Sequence, residues 1–394
     1  MSLDWIDAEL EKLAGADLLR TLVSRSGKQS TKVVIDGQRY VSFASNDYLG
    51  IAGDPALNDI VAKTVFRGGW GSGASPLIVG RAAMHAELER RLAEFVDKEA
   101  ALLFPTGFAA NAGTIPALVG KSDAVFSDAK NHASIIDGCR LSGAKIHIYP
   151  HGDVDALRTT LSETSGKYGR KLIVSDSLFS MDGDVAPLRD LAALAKEQSA
   201  MLMVDEAHAV GVIGPNGKGL AAELEVTNSV DVLVGTLSKS FGSHGGFVAG
   251  SRKLIDYLSN KARSYVFSTA SPVTTAAATL AAMKLMRDEP KRRERLLSIS
   301  TYFREQLSAR GWNIGPAVYH IVPLVVGEAS KAIELSAFLR GRGFWVPCIR
   351  PPTVPNGESC LRISLSSAHT DPMIANLLGA LDEYFAEPAR NASE

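Results

Sequence analysis

The chain has 394 residues, of which 46% are hydrophobic and 22% are charged, a composition typical of a globular protein long enough for two domains. Its formal net charge is -1 with both signs interspersed, which argues against nucleic acid or an anionic membrane surface as a partner. No apolar run approaches the length needed to cross a bilayer, and the N-terminus lacks a signal-peptide pattern. Three cysteines at no metal-ligand spacing predict a reducing, cytoplasmic compartment and no bound metal.

The first fifty residues are predicted to form an N-terminal segment of their own. Apolar residues recur at helical spacing from Leu3 to Leu13. Two short alternating runs then flank Asp36-Gly37, a strong sequence signal for a tight hairpin. We therefore predict a helix and hairpin arm over residues 1–50.

Short apolar runs alternate with helical stretches over residues 51–285. Strands that are apolar throughout and separated by helices indicate a mostly parallel sheet covered on both faces. The pattern predicts an α/β large domain over 51–285 and, after a change in character, a smaller α+β domain over 286–394. The seven candidate strands of the large domain are 101–104, 124–127, 145–149, 172–175, 201–205, 231–235 and 247–250.

Polar side chains follow five of these runs. In an open parallel sheet, ligands bind beyond the carboxyl ends of the strands, so these residues are expected to meet at one edge. Hydroxyls, an acid, two histidines and a lysine converging there indicate a binding site. The segments concerned are PTGFAAN, the stretch that reaches His132, LFSMDGD, DEAHAVG and TLSKSFG.

Among these residues, Lys239 most directly indicates a type of reaction. An amine in a dry, crowded site loses proton affinity, which suits the formation of a Schiff base with a carbonyl. Pyridoxal phosphate is the cofactor that uses such a lysine, and it also requires an acid for its ring nitrogen and donors for its phosphate. Asp205 is the candidate acid, although an aspartate at a strand end is also a common helix N-cap.

The phosphate could be bound where a helix begins after Thr106, because the first N–H groups of a helix and its dipole favour anions. Gly107 and Phe108 would supply such N–H groups, and Thr236 would add a hydroxyl. His132 could stack on the cofactor ring. Taken singly, His132, Thr236 and Gly107 each favour a structural role, and only their joint occurrence at the edge of one sheet favours a site.

Two glycine-rich stretches suggest a rival, nucleotide-binding interpretation. GGWGSGA at 68–74 follows a helical stretch and not a strand, and a single match of this kind is weak. PNGKG at 215–219 lacks the upstream glycine and the hydroxyl residue of a phosphate loop. A nicotinamide- or nucleotide-dependent enzyme is therefore disfavoured.

Seven ordered motifs cover nearly the whole chain and resemble those of the α-oxoamine synthases. This family has the type I fold of pyridoxal-phosphate-dependent transferases, so the resemblance implies that fold for the seven-stranded large domain and the smaller C-terminal domain. The motifs are SNDYLG (45–50), TGFAAN (106–111), NHASIIDG (131–138), SLFSMDGD (177–184), VDEAH (204–208), TLSKSFG (236–242) and RPPTVPNGESCLRISLSSAHT (350–370).

The resemblance implies a role for each residue around the cofactor. Lys239 would hold pyridoxal phosphate as a Schiff base and move the substrate α-proton. Asp205 would pair with the ring nitrogen, His208 with the ring oxygen, and His132 would stack on the ring and face the substrate. These four are the expected catalytic residues. Further cofactor contacts are implied for Thr106, Gly107, Phe108, Ser180 and Thr236.

The resemblance also implies a homodimer with shared active sites. Ser268 and Thr269 correspond to a segment that reaches the cofactor of the neighbouring subunit. The amino-acid carboxylate is expected to be held by Arg362 and Asn46. The acyl substrate is expected to face Arg20 and Thr353.

The implied reaction is a decarboxylative condensation of an amino acid, expected to be L-alanine, with an acyl thioester, expected to be pimeloyl-coenzyme A or pimeloyl carrier protein, in biotin biosynthesis. Members of the family that use glycine or serine with other acyl chains stay open as alternatives. Pro76 stands where many members have an arginine, which leaves the acyl chain length open. A non-catalytic partner subunit of the same fold is disfavoured, because it would be expected to lack Lys239.

Overall fold

The computed structural model describes residues 3–391, and residues 1–2 and 392–394 of the predicted N- and C-terminal segments lie outside it. Two compact units are formed. The large unit consists of Ile51–Ser180 and Asp184–Glu294. The small unit consists of Met1–Gly50, Met181–Gly183 and Arg295–Glu394. The division into three consecutive domains stays a prediction.

The secondary structure alternates between strands and helices through most of the chain. The strands are β1 (Arg25–Ser26), β2 (Lys32–Ile35), β3 (Gln38–Ser42), β4 (Ala100–Phe104), β5 (Ala124–Asp128), β6 (Lys145–Tyr149), β7 (Lys171–Asp176), β8 (Met201–Asp205), β9 (Val232–Thr236), β10 (Gly246–Gly250), β11 (Ile321–Gly327), β12 (Phe344–Trp345), β13 (Cys348–Ile349) and β14 (Ser359–Ser364). The helices are α1 (Trp5–Gly15), α2 (Pro55–Gly68), α3 (Ala83–Phe95), α4 (Gly107–Leu118), α5 (Ala133–Ser142), α6 (Val154–Glu163), α7 (Leu188–Glu197), α8 (Leu220–Glu223), α9 (Arg252–Lys261), α10 (Arg263–Val266), α11 (Val273–Asp288), α12 (Lys291–Ala309), α13 (Ala329–Gly341) and α14 (Asp371–Asn391).

The large unit is built around a seven-stranded sheet of order β4-β10-β9-β8-β7-β5-β6. Strand β10 is antiparallel to both of its neighbours, and the other pairs are parallel. Every residue of β5, β9 and β10 is buried, which explains why these strands are apolar on both faces. This sheet confirms the predicted α/β class and the seven mostly parallel strands.

The small unit contains a four-stranded sheet, β1-β2-β3-β12, and a three-stranded sheet, β11-β14-β13. Strands β2 and β3 form the hairpin expected around Asp36-Gly37. Both turn residues have positive φ, at 50° and 79°, as the mirror-image turns of two-residue hairpins require. Strand β14 lies at the centre of its sheet and is buried along its whole length, so a side chain on it is held firmly.

Among residues 3–391, no helix combines the length and the apolar character that a membrane crossing would need. Within the same range, no group of three or more histidine, cysteine, aspartate and glutamate side chains could hold a metal ion.

Candidate active site

The carboxyl ends of three adjacent parallel strands bring polar side chains to one edge of the large sheet. Asp176 ends β7, Asp205 ends β8 and Thr236 ends β9. The register pairs Asp176 directly with Asp205, and Asp205 with Val234. The sheet therefore fixes the spacing between Asp176 and Asp205, and the spacing between Asp205 and the turn that follows β9.

Lys239 lies in that turn, and its Nζ is 2.7 Å from Nε2 of His208. His208 is buried, three residues beyond the end of β8, whereas Lys239 is half-buried. The structure thus brings together the predicted lysine and one of its two predicted histidines. An amine at this distance from an imidazole has a partner that can share or receive a proton.

Asp205 is buried and held by two donors. Asn111 Nδ2 donates to its Oδ2 at 2.6 Å, and the backbone N–H of Ala207 donates to its Oδ1 at 2.8 Å. Both bonds fix the orientation of this carboxylate. Asn111 is fully buried on α4 and was missed as a site residue, although it ends the quoted motif TGFAAN.

A hydrogen-bonded chain connects Asp205 to His132. Asn111 Nδ2 also donates to Ser134 Oγ at 2.9 Å, and Ser134 Oγ lies 2.8 Å from Nδ1 of His132. The backbone N–H of Ser134 donates to the same Nδ1 at 3.2 Å, so this nitrogen is an acceptor and the neutral ring carries its proton on Nε2. Ser134, like Asn111, was not foreseen from the sequence.

His132 is the N-cap of α5, and its backbone N–H donates to Asp176 Oδ2 at 2.6 Å. The residue is exposed to solvent, but the protein atoms around the ring partly desolvate it, and this lowers the pKa of His132. The positive charge of Lys239 lowers that pKa further, and Asp205 opposes the change. The neutral imidazole of His132 is therefore favoured at this edge of the sheet. At the neighbouring carboxyl of Asp176, burial and the nearby Asp205 raise the pKa well above its usual value.

The start of α4 forms a backbone cradle close to Thr236. Thr106 is the N-cap, and its Oγ1 accepts from the N–H of Ala109 at 3.0 Å. A Cβ on Gly107 would lie 3.3 Å from Cβ of Thr236, and one on Gly246 would lie 2.5 Å from the carbonyl oxygen of Thr106. The second contact requires glycine at position 246, whereas the contact at Gly107 is tight; the first N–H groups of α4 are oriented for an anion.

The hydroxyl of Thr236 is already engaged in the structure. Its Oγ1 donates to the carbonyl of Gly245 at 3.0 Å and lies 2.8 Å from Oγ of Ser238. Ser238, an exposed residue between Thr236 and Lys239, is a second hydroxyl at this place that sequence reasoning did not select.

Three other predicted cofactor residues lie elsewhere in the large unit. Ser180 is in the loop closed by the bridge between Leu178 and Val185. Ser268 and Thr269 line a surface cavity that is formed together with the residues Pro76, Arg81, His85, Glu89, Leu103, Phe104, Pro105, Tyr265, Ala270 and Ser271. Within one chain, Lys239 is not part of that lining.

In the small unit, Arg362 is buried on β14 next to Asn46. Its Nη1 donates to Ser364 Oγ at 2.6 Å and to Asn46 Oδ1 at 3.2 Å. The predicted acyl-facing pair is also in contact, since Arg20 Nη2 donates to Thr353 Oγ1 at 3.1 Å, and both side chains are exposed. The structure therefore joins each of the two predicted substrate pairs within this unit.

The groups in the large unit fit the demands of pyridoxal phosphate. Lys239 offers an amine for a carbonyl, Asp205 offers a fixed carboxylate for a protonated ring nitrogen, and the cradle at Gly107 offers N–H groups for a phosphate. The glycines at 107 and 246 let the start of α4 pack closely against the ends of β9 and β10. The roles of the single residues stay predictions.

Comparisons with known proteins agree with this fit. The aminotransferase class I and II family matches residues 38–381. The chain is 48% identical over 380 residues to an 8-amino-7-oxononanoate synthase of Anaeromyxobacter dehalogenans, covering 96% of this chain and 95% of the relative.

Solved structures agree as well. A serine palmitoyltransferase from S. paucimobilis with a bound PLP–myriocin aldimine superposes with a TM-score of 0.91 at 31% identity, over 96% of each chain. An 8-amino-7-oxononanoate synthase from Francisella tularensis gives a TM-score of 0.77 at 28% identity, over 89% of this chain and 99% of that one. These findings confirm the resemblance seen in the sequence. The chain belongs to the aminotransferase class I and II family, as a pyridoxal-phosphate-dependent α-oxoamine synthase.

Proposed function

We propose that the chain condenses L-alanine with a pimeloyl thioester, losing CO2 and releasing the thiol, to give 8-amino-7-oxononanoate for biotin synthesis. The observation that carries the proposal is the 48% identity, over 96% of the chain, to a synthase of that name. The thiol carrier is coenzyme A or an acyl carrier protein.

The large unit supplies the groups that move protons and stabilise charge. When bound, pyridoxal phosphate supplies a carbonyl for the amine of the amino acid and a ring that accepts negative charge. Lys239 Nζ takes the α-proton of the amino acid. His208, whose Nε2 lies 2.7 Å from Nζ, orients the amine of Lys239. Asp205 would pair with a protonated ring nitrogen, because Asn111 and Ala207 hold its carboxylate in place.

The small unit supplies the carboxylate clamp. Arg362, fixed by Ser364 and Asn46, binds the carboxylate of the amino acid and so sets which bond at its α-carbon is broken. An arginine suits this task because its planar fork matches a carboxylate with two parallel hydrogen bonds.

Arg20 gives a reason to prefer a dicarboxylic acyl chain. Its exposed guanidinium, 3.1 Å from Thr353 Oγ1, offers a cation and a neighbouring hydroxyl in the same unit. A pimeloyl chain ends in a carboxylate that such a pair can bind, whereas a fatty acyl chain of the palmitoyl kind gains nothing from the charge.

The proposal includes a homodimer in which Ser268 and Thr269 reach the cofactor of the partner subunit. The π-helical turn Pro76–Gly80 contacts α10, and Ile78, Val79 and Phe267 are exposed large apolar side chains. Apolar surface of this kind on a folded chain is typical of an interface. Cys139, Cys348 and Cys360 form no disulfide, which fits a reducing cytoplasm.

A matrix of thiol-release assays tests the reaction. Alanine, glycine and serine are each combined with acetyl-, succinyl-, pimeloyl- and palmitoyl-coenzyme A and with pimeloyl carrier protein, and Lys239→Ala serves as the inactive control. We expect the highest kcat/KM for alanine with a pimeloyl thioester. A highest value for serine with palmitoyl-coenzyme A would instead favour the activity of the structurally similar serine palmitoyltransferases.

A further inference from the structure

We propose that Tyr48 is a positioning residue that sets the direction of the Asn46 side-chain amide, so that Asn46 presents its N–H2 group, and not its oxygen, to the substrate carboxylate. This inference rests on the proposed role of Asn46 and Arg362 as the carboxylate clamp. It adds to that role a residue that acts through Asn46.

Three side chains of the small unit form a compact triangle, in which two hydrogen bonds meet at Asn46. Tyr48 Oη donates to Asn46 Oδ1 at 3.1 Å, and Arg362 Nη1 donates to the same oxygen at 3.2 Å. The Arg362 guanidinium also lies close enough to Tyr48 to lower the pKa of its hydroxyl, against the larger effect of burial. The amide oxygen of Asn46 therefore receives two donors from the protein.

The direction of each bond in the triangle follows from the chemistry of the groups. A guanidinium has only donors, so Asn46 must turn its amide oxygen toward Arg362. The single proton of the Tyr48 hydroxyl is directed to the same oxygen. The two N–H donors of the amide consequently point away from Tyr48 and Arg362.

Tyr48 is well suited to act as a fixed donor. It is fully buried, and its ring lies edge-on to His320 with centroids 4.1 Å apart. Its carbonyl accepts from the N–H of Ser367 at 2.8 Å, which ties this segment to the chain beyond β14. Burial raises the pKa of Tyr48 to about 12, against the opposing effect of Arg362, so the hydroxyl keeps its proton at any working pH.

The orientation decides which ligand Asn46 accepts. With N–H2 outward, the amide donates to a carboxylate beside Arg362. With the amide reversed, its oxygen would face the carboxylate oxygens and its N–H2 would face two donors, so both sides would lose hydrogen bonds. Without the Tyr48 hydroxyl, the oxygen of Asn46 keeps only the donor from Arg362, so reversal of the amide costs one hydrogen bond less and an outward oxygen can accept from an uncharged carboxamide.

The test is a comparison of Tyr48→Phe with the wild-type holoenzyme, using L-alanine and L-alaninamide as probes. Binding is measured from the change in cofactor absorbance, and the cofactor dissociation constant and melting temperature are measured alongside. We expect L-alanine affinity to fall about tenfold, the loss of roughly one hydrogen bond to a charged cluster, with L-alaninamide affinity unchanged or improved. Unchanged binding of both probes would overturn the inference, and so would an equal weakening of both.

A double-mutant cycle with Asn46→Ala adds a second criterion. If Tyr48 acts through Asn46, Tyr48→Phe has no further effect on L-alanine binding once Asn46 is truncated. Additive effects of the two changes would overturn the inference.

Should Tyr48→Phe lower the melting temperature or the holoenzyme yield, Asn46→Asp is used in its place. The aspartate can still accept from Tyr48 and Arg362, but its second oxygen presents an acceptor to the ligand. Asn46→Asp must then bind L-alaninamide while losing L-alanine.

The outcome is separable from that of the proposed function. If the wild type binds glycine or serine instead of L-alanine, the proposed substrate is wrong, and the same comparison is made with that amino acid and its amide. If the wild type binds the chosen amino acid and its amide equally well, the clamp itself is wrong and the role of Tyr48 falls with it.

Discussion

His151 provides a prediction of how stability depends on pH. Its Nδ1 lies 2.9 Å from Asp128 Oδ1 and its Nε2 lies 2.8 Å from Asp184 Oδ2, so the imidazolium can donate to both carboxylates at once. Asp128 ends β5, and Asp184 ends the loop that carries Ser180. The side chains are 21%, 1% and 16% exposed for His151, Asp128 and Asp184. Protonated His151 therefore connects this loop to the edge of the sheet.

The magnitude follows from the pKa of His151. Its two hydrogen bonds, to Asp128 and then to Asp184, raise that pKa from 6.5 to about 9, and burial opposes them. Because the folded-state pKa is the higher one, the stabilisation is complete below pH 6.5 and is lost as the pH rises through about 9. Such a rise corresponds to at most about 3.4 kcal/mol, and solvent reaching the partly exposed ring reduces it to about 1–2 kcal/mol.

The assay compares urea unfolding of the wild-type holoenzyme and His151→Gln at pH 7 and pH 10, followed by circular dichroism. Glutamine can donate to one carboxylate but does not titrate, so it is a matched control for every other group that changes charge in this range. We expect the wild type to lose about 1–2 kcal/mol more than the variant between the two pH values. An equal loss in both proteins would refute the reasoning.

Four further changes test the site. Lys239→Ala should lower turnover by roughly 10³-fold and end borohydride fixation of the cofactor to the chain, and fixation that persists, seen by mass spectrometry, would contradict the assignment. Arg362→Ala should weaken amino-acid binding by about tenfold to a hundredfold at constant cofactor affinity, measured by absorbance titration, and an unchanged amino-acid affinity would count against the clamp. Asn111→Leu should weaken cofactor binding about tenfold, because Asp205 loses a charge-assisted hydrogen bond, and unaltered binding in equilibrium dialysis would argue against that support. Ile78→Asp should shift the protein toward a monomer in analytical ultracentrifugation, whereas a stable dimer would place the interface elsewhere.

Much of the large unit could be predicted from the sequence, because local pattern and topology agree there. Apolar runs predicted the seven strands, and the rule that parallel strands present their carboxyl ends at one edge predicted which side chains would meet. Asp205 ends β8, and His208 and Lys239 lie three residues beyond the ends of β8 and β9, so their short distance along the chain sufficed to place them.

The partners that orient these groups could not be predicted in the same way. Asn111 lies 94 residues from Asp205 in the chain, and nothing in its local pattern distinguishes it from a residue that only packs on α4. The pairing of Asp128 with His151 likewise depends on β5 and β6 being neighbours in the sheet. Such contacts are set by tertiary structure, and a single sequence carries no signal for them.

The orientation of the reactive groups depends on hydrogen-bond donors that are themselves held in place by the protein. Asn111 Nδ2 donates to both Asp205 and Ser134, and Asn46 Oδ1 accepts from both Tyr48 and Arg362. In each case one fixed hydrogen bond determines the polarity of the next, so the charge that develops during reaction meets dipoles already aligned. This explains why a change that removes one hydroxyl, such as Tyr48→Phe, is expected to alter which ligand binds more than how stably the unit folds.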